Sequence, residues 1–144
     1  MTAAGVAAAG EDAQAVGLVD QEGSMVLRIF VGGTEAMTIA LRLYKQPFTR
    51  PLTHDLMDEM LDKLDAKVYK VQIDDLVEGV FVGSVFIHRG ARVWELDARP
   101  SDAIAIAIGH NVPIYVSAMV LQQAAQSASM NGGEEEKVTP KPGP

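Results

Sequence analysis

Apolar side chains recur along this chain with two periods, and the switches between them divide it into strands and helices. Thr2 to Ala8 is a run of small residues that suits a short strand. Ala13 to Asp20 follows, then a Gln21-Glu22-Gly23 turn, then Ser24 to Val31. In this last stretch Met25, Leu27, Ile29 and Val31 alternate with Val26, Arg28 and Phe30, so both faces carry apolar residues. Glycine in the connection makes the pair a β-hairpin. Gly32-Gly33 breaks the strand, and Ala36, Ile39, Ala40 and Leu43 then fall at helical spacing over Thr34 to Leu43. After a loop with Pro47 and Pro51, Thr53 is placed to cap a second helix with the stripe Leu56, Met57, Met60, Leu61 and Leu64.

Period two returns over Lys67 to Ile73, Gly79 to His88 and Arg92 to Asp97, with turns at Glu78-Gly79 and Arg89-Gly90. Asp74-Asp75 reads as a solvated turn, and Trp94 as a core residue on its strand. Ser101 to Ile108 is apolar or alanine nearly all round, which predicts a deeply buried helix. Pro113 to Val116 is a short strand, and Ser117 caps a last helix to about Ala125. From Ser127 onward glycine, proline and three consecutive glutamates leave little to bury. The expectation is therefore one domain over 1–126 and a disordered polar tail over 127–144.

A constant separation of 67 residues relates Gly23 to Gly90, Thr34-Glu35-Ala36 to Ser101-Asp102-Ala103, and Ile39-Ala40-Leu41 to Ile106-Ala107-Ile108. Each half reads as hairpin, helix, short extended stretch, helix. The predicted fold is α+β: a duplicated ββα-type unit with mostly antiparallel sheet and about four helices. Two-fold packing of the halves would bring their polar helix starts together.

Bulk properties narrow the function. A net charge of −7 lacks the basic signature of a tight, passive nucleic-acid binder. It leaves room for a nuclease whose divalent metal bridges carboxylates to phosphate. Absence of cysteine excludes disulfides and thiolate metal sites. No apolar run reaches spanning length and no cationic residue precedes the alanine-rich start, so the expected location is the cytoplasm, away from membranes. Exposed edge strands favour a homo-oligomer, a dimer first.

Two polar clusters stand out, Arg50-Pro51-Leu52-Thr53-His54-Asp55 and Asp97-Ala98-Arg99-Pro100-Ser101-Asp102. Capping accounts for Thr53, Asp55, Ser101 and Asp102, since hydroxyls and acids satisfy the free amides and dipole of a helix start. The chemical reading assigns phosphate binding to Arg50 and Arg99, with Thr53 and Ser101 beside them. Glu35, Asp97 and Asp102 supply hard oxygen ligands for Mg²⁺ or Mn²⁺. His54, Asp55, Asp97 and Asp102 carry acid–base chemistry. His88 and His110 read as surface or satisfied residues.

The stretches RPLTHDLMDEMLDKLDAKVYKVQIDDLVEGVF and ELDARPSDAIAIAIGHNVPIYVS, with the G-x-x-EA-x-x-IAL pattern at Gly32 to Leu41, resemble the bifunctional nuclease domain family over about Ala13 to Ala124. The resemblance implies an α+β fold with a repeated unit and RNase and DNase activity, with nucleic acid as a transient substrate. It brings no assigned catalytic set to these positions. The rival expectation is a non-enzymatic regulatory or protein-interaction module, and a weaker one is an anion sensor seated between the halves.

Overall fold

The computed structural model describes residues 1–8, 14–23 and 25–123. The tail from Ser127 and the end of the last helix near Ala125 lie outside the described residues. The chain forms β1 (Thr2–Ala8), β2 (Gln14–Val19), β3 (Val26–Val31), α1 (Gly33–Leu43), α2 (Thr53–Lys63), β4 (Lys67–Val77), β5 (Val80–Arg89), β6 (Arg92–Ala98), α3 (Pro100–His110) and β7 (Ile114–Val116). Residues 118–123 are helical at the end of the described chain.

One sheet is the antiparallel meander β1-β2-β3. The other runs β6-β5-β4-β7, antiparallel except for the parallel pair β4–β7. Met1 and Ile114 exchange backbone hydrogen bonds, so the start of β1 abuts β7 and the two sheets adjoin there. The fold is α+β, and its two halves repeat. Gly33 and Pro100 open α1 and α3, and Leu43 and His110 close them, with one separation of 67 residues at both ends. Gly23 and Gly90, equivalent in the hairpin turns, both adopt positive φ, 71° and 59°. Each half contains one strand more than a hairpin-plus-helix unit: β1-β2-β3-α1 is answered by β4-β5-β6-α3.

The core explains the order of burial. α3 buries Ala103, Ile104, Ala105, Ile106 and Ala107, as its nearly uniform apolar sequence predicts. Val16, Leu18, Leu27 and Ile29 from the first sheet join Val71, Ile73 and Val85 from the second in the same core. Each such side chain contributes about 1.5–3 kcal/mol of burial. Asn111 ends α3 in the left-handed conformation, φ 54°, a geometry that asparagine tolerates well.

Several local readings differ from the structure. Asp74 and Asp75 lie within β4, which runs on to Val77 through a register shift between Ile73 and Asp75. They stay in the strand because Asp74 accepts hydrogen bonds from Gln72 Nε2 and from buried Ser84 Oγ on β5. The reversal falls at Glu78-Gly79, as expected, where both residues have positive φ, as a tight two-residue hairpin requires. Trp94 is only partly buried, because β6 is the edge of its sheet, and the Arg92 guanidinium lies 4.9 Å from its ring centre. Most consequential, α2 buries none of its residues fully, and Leu56, Met57, Met60 and Leu64 are exposed.

Candidate functional site

The N-terminal ends of α1, α2 and α3 meet around a pocket of about 160 Å³. Its wall is built from repeat-equivalent pairs: Thr34 with Ser101, Glu35 with Asp102, Thr38 with Ala105. The pocket therefore lies on the junction of the halves, where positions related by a two-fold face each other. Thr53 and His54, at the start of α2, complete it.

Helix starts normally satisfy their free amides with a capping side chain. Here the N-cap residues are Gly32, Leu52 and Arg99, and none makes a side-chain capping bond. Thr53 and Ser101 are thus first-turn residues of their helices, one residue or more past the cap, because the chain enters each helix earlier than the hydroxyls suggest. Ser117 does cap as expected, accepting from the Val120 N–H at 3.1 Å. The positive ends of three helix dipoles consequently border one small polar space.

Each of these helices places an acid at its third position, and the three acids have different partners. Asp55 turns back to accept the Leu52 N–H at 2.9 Å and also pairs with Arg42 Nη1 at 3.1 Å. Glu35 folds over Gly32, so closely that a Cβ there would sit 2.3 Å from its Oε1. Asp102 turns sideways. It accepts from Arg99 Nε at 2.9 Å and Nη2 at 3.2 Å, a bidentate contact, and its Oδ1 lies 3.0 Å from His54 Nε2. Burial opposes ionisation of Asp102, but the hydrogen bonds and charges of Arg99 and His54 together outweigh it and hold its carboxyl below the usual range. Arg99 is in turn held more firmly protonated, chiefly by its hydrogen bond and ion pair with Asp102 and also by the charge of Glu35. An ionised Asp102 accepts, so Nε2 is the ring nitrogen of His54 that carries the proton. His54 Nδ1 is enclosed, with no hydrogen-bond partner among the described residues.

The predicted residues thus divide. Glu35, Thr53, His54, Arg99, Ser101 and Asp102 share the pocket. Asp97 lies on β6 and lines the neighbouring cleft instead. Asp55 belongs to a second polar network, and Arg50 lies in the exposed loop ahead of α2, outside the residues that line the pocket. Among the described residues no three His, Asp or Glu side chains gather as a ready metal-ligating group. Glu35 and Asp102 are the carboxylates that line this pocket.

Sequence reasoning passed over the second network. Arg42, with only 9% of its side chain exposed, joins Asp55 and Asp58 of α2, and His110 Nε2 lies 2.8 Å from Asp58 Oδ1. Together with His54–Asp102 these pairs dock α2, which has no fully buried apolar residue to hold it. The signal was present in the repeat: position 109, equivalent to Arg42, is glycine.

Fold and pocket together define a duplicated α+β domain whose polar site lies at the junction of its repeats. A family model described as the bifunctional nuclease domain matches residues 16–129. An uncharacterized protein of Mycobacterium tuberculosis is 41% identical over 107 residues, covering 74% of this chain and 63% of that protein. Bifunctional nuclease 1 of Arabidopsis thaliana is 28% identical over 122 residues, 82% of this chain and 36% of the plant protein. Bifunctional nuclease 1 of Oryza sativa subsp. indica is 29% identical over 107 residues, 72% of this chain and 32% of its own length. This chain belongs to the bifunctional nuclease domain family. It spans less than two thirds of the length of each of these relatives. Among the described residues no helix is long and apolar enough to cross a membrane.

Proposed function

We propose that the domain is a nuclease that hydrolyses phosphodiester bonds in RNA and DNA at the pocket between its repeats. The observation that carries this reading is the meeting of three helix N-termini with Arg99, Asp102 and His54 in one small polar space. A phosphodiester brings the negative charge that such a space favours. Arg99, largely exposed, exchanges its hold on Asp102 for the phosphate, to which guanidinium binds bidentately. His54 transfers protons once its bond to Asp102 opens, since Nε2 is engaged there and Nδ1 is enclosed. Asp102 stabilises the charged imidazole.

If a divalent ion, Mg²⁺ or Mn²⁺, takes part, Glu35 and Asp102 would hold it and it would polarise the phosphate. Such ions keep several waters and take one or two carboxylates plus substrate phosphate oxygens, so a cage of three protein ligands is unnecessary. Asp97 and Asp55 take supporting places outside the pocket. The test is cleavage of labelled RNA and DNA by purified protein, with and without added Mg²⁺ or Mn²⁺. Turnover that survives both His54→Ala and Asp102→Asn would remove the site assignment.

A second reading, a protein-interaction module or a homodimer, is favoured by one feature, the outer face of α2 with Leu56 and Leu64 exposed. It predicts a stable complex and no turnover.

A further inference from the structure

The polar pocket does not stand alone. On one side a cleft of about 370 Å³ opens between β3 and the β4–β5 turn and shares Glu35, Arg99 and Ser101 with it. On the other side a cleft of about 500 Å³ opens between α2 and the face of β5 and β6 and shares Thr53, His54, Arg99 and Asp102. Arg99 borders all three spaces. The helix starts thus lie between a cleft of mixed polar and apolar wall and a second cleft that is mainly apolar, with a guanidinium where the three join.

Each flanking cleft adds large apolar side chains to the charged residues that it shares with the pocket. The first presents Phe30, 61% exposed on edge strand β3, with the Arg28 guanidinium 5.8 Å from its ring centre. The second presents Met57, Met60 and Leu96, all exposed, over a floor that includes Ile87. An isolated domain gains nothing from leaving an aromatic ring and a methionine stripe open beside its polar pocket. Aromatic faces and polarizable thioethers are surfaces on which any base can lie, because every base has a π-face.

We propose that an unpaired nucleic-acid strand crosses the pocket with one phosphate at Arg99 and the helix starts, and with the neighbouring bases seated at Phe30 and at Met57–Met60–Leu96. The inference rests on the nuclease reading for the phosphate and adds the substrate class, single-stranded and read without base identity. A paired base is stacked inside its duplex and cannot turn into a concave cleft without being unpaired.

The test compares three labelled probes of equal length by fluorescence anisotropy at low salt, with EDTA and again with Mg²⁺: a single-stranded oligothymidylate, the same strand with abasic sites throughout, and a blunt duplex. The single strand should bind about tenfold or more tighter than the other two. Phe30→Ala and Met60→Ala, both at exposed positions, should each weaken the single strand several-fold and leave the abasic strand unchanged. Equal binding of base-bearing and abasic strands would overturn the proposal, as would loss of self-association in Met60→Ala with base preference intact. Cleavage is scored separately. Base-dependent binding without turnover keeps the two clefts and removes the nuclease reading. Turnover of the abasic strand as fast as the base-bearing one keeps the nuclease and removes the clefts.

Discussion

Arg42 and Gly109 occupy equivalent places in the two repeats and touch each other: a Cβ on Gly109 would lie 1.3 Å from Arg42 Nη2. Positions related by a two-fold meet where the axis passes, and only one of the two can then be large. At the other end of these helices the equivalent positions Glu35 and Asp102 both line the polar pocket, and there both can be large because the space between the helix starts is open. α1 and α3 therefore lie side by side in the same direction, with the pocket at their starts and the Arg42 network at their ends.

Gly109→Ala should push the Arg42 guanidinium away from Asp55 and Asp58. A loss of about 1–3 kcal/mol in urea unfolding is expected, the usual range for forced overpacking. Arg42→Ala should cost a similar amount, and the double variant less than the sum, because both changes break one contact. Additive losses would separate the glycine from the network.

Asp102→Asn keeps the shape of the side chain and removes the charge that holds Arg99 and His54. Cleavage should fall by about a hundredfold or more in kcat, the scale of lost acid–base assistance. The melting temperature should also fall, modestly: the pair with largely exposed Arg99 contributes at most about 1 kcal/mol, and the pair with the more enclosed His54 helps to dock α2.

The same carboxylate makes stability depend on acid. Its folded-state pKa lies below the ordinary value, so folding favours its ionised form. That contribution is fully present above the unfolded carboxyl pKa of about 3.9 and disappears as pH falls through the lower, folded value. Denaturation of the wild type and Asp102→Asn should therefore show a gap in stability that is constant at neutral pH and closes below about pH 4.

Ile104→Ala tests the core apart from the chemistry. Ile104 is fully buried on α3, and it is not among the residues that line the polar pocket. Unfolding should become easier by about 2–5 kcal/mol, while kcat of the protein that remains folded stays at the wild-type level.

Much of the architecture was legible in the chain. The hairpin turns at Gly23 and Gly90, the all-apolar α3, the start of each helix to within one residue and the 67-residue repeat follow from local patterns. Asp74-Asp75 misled because two adjacent acids look like a turn, and only Ser84 across the sheet gives Asp74 a reason to stay extended. Thr53 and Ser101 looked like caps because hydroxyls favour helix starts, but Leu52 holds the cap of α2, and Pro100 takes the first helical position of α3 with Arg99 as its cap. The stripe on α2 looked like any core-facing stripe. Periodicity reports which side chains share a face, and says nothing about whether another element covers that face.

The sequence by itself determined the elements, their duplication and the residue types at each helix start, because these depend on interactions that reach only a few positions along the backbone. The tertiary structure decided the partners: that Asp102 turns to His54 and Arg99 while Asp55 turns to Arg42, and that Asp97 faces a different cleft. The physical reason is that those choices are set by the docking of α1, α2 and α3 across the repeat junction. Small differences in burial and charge at that junction, between residues 13 to 52 positions apart, outweigh what each local motif favours alone.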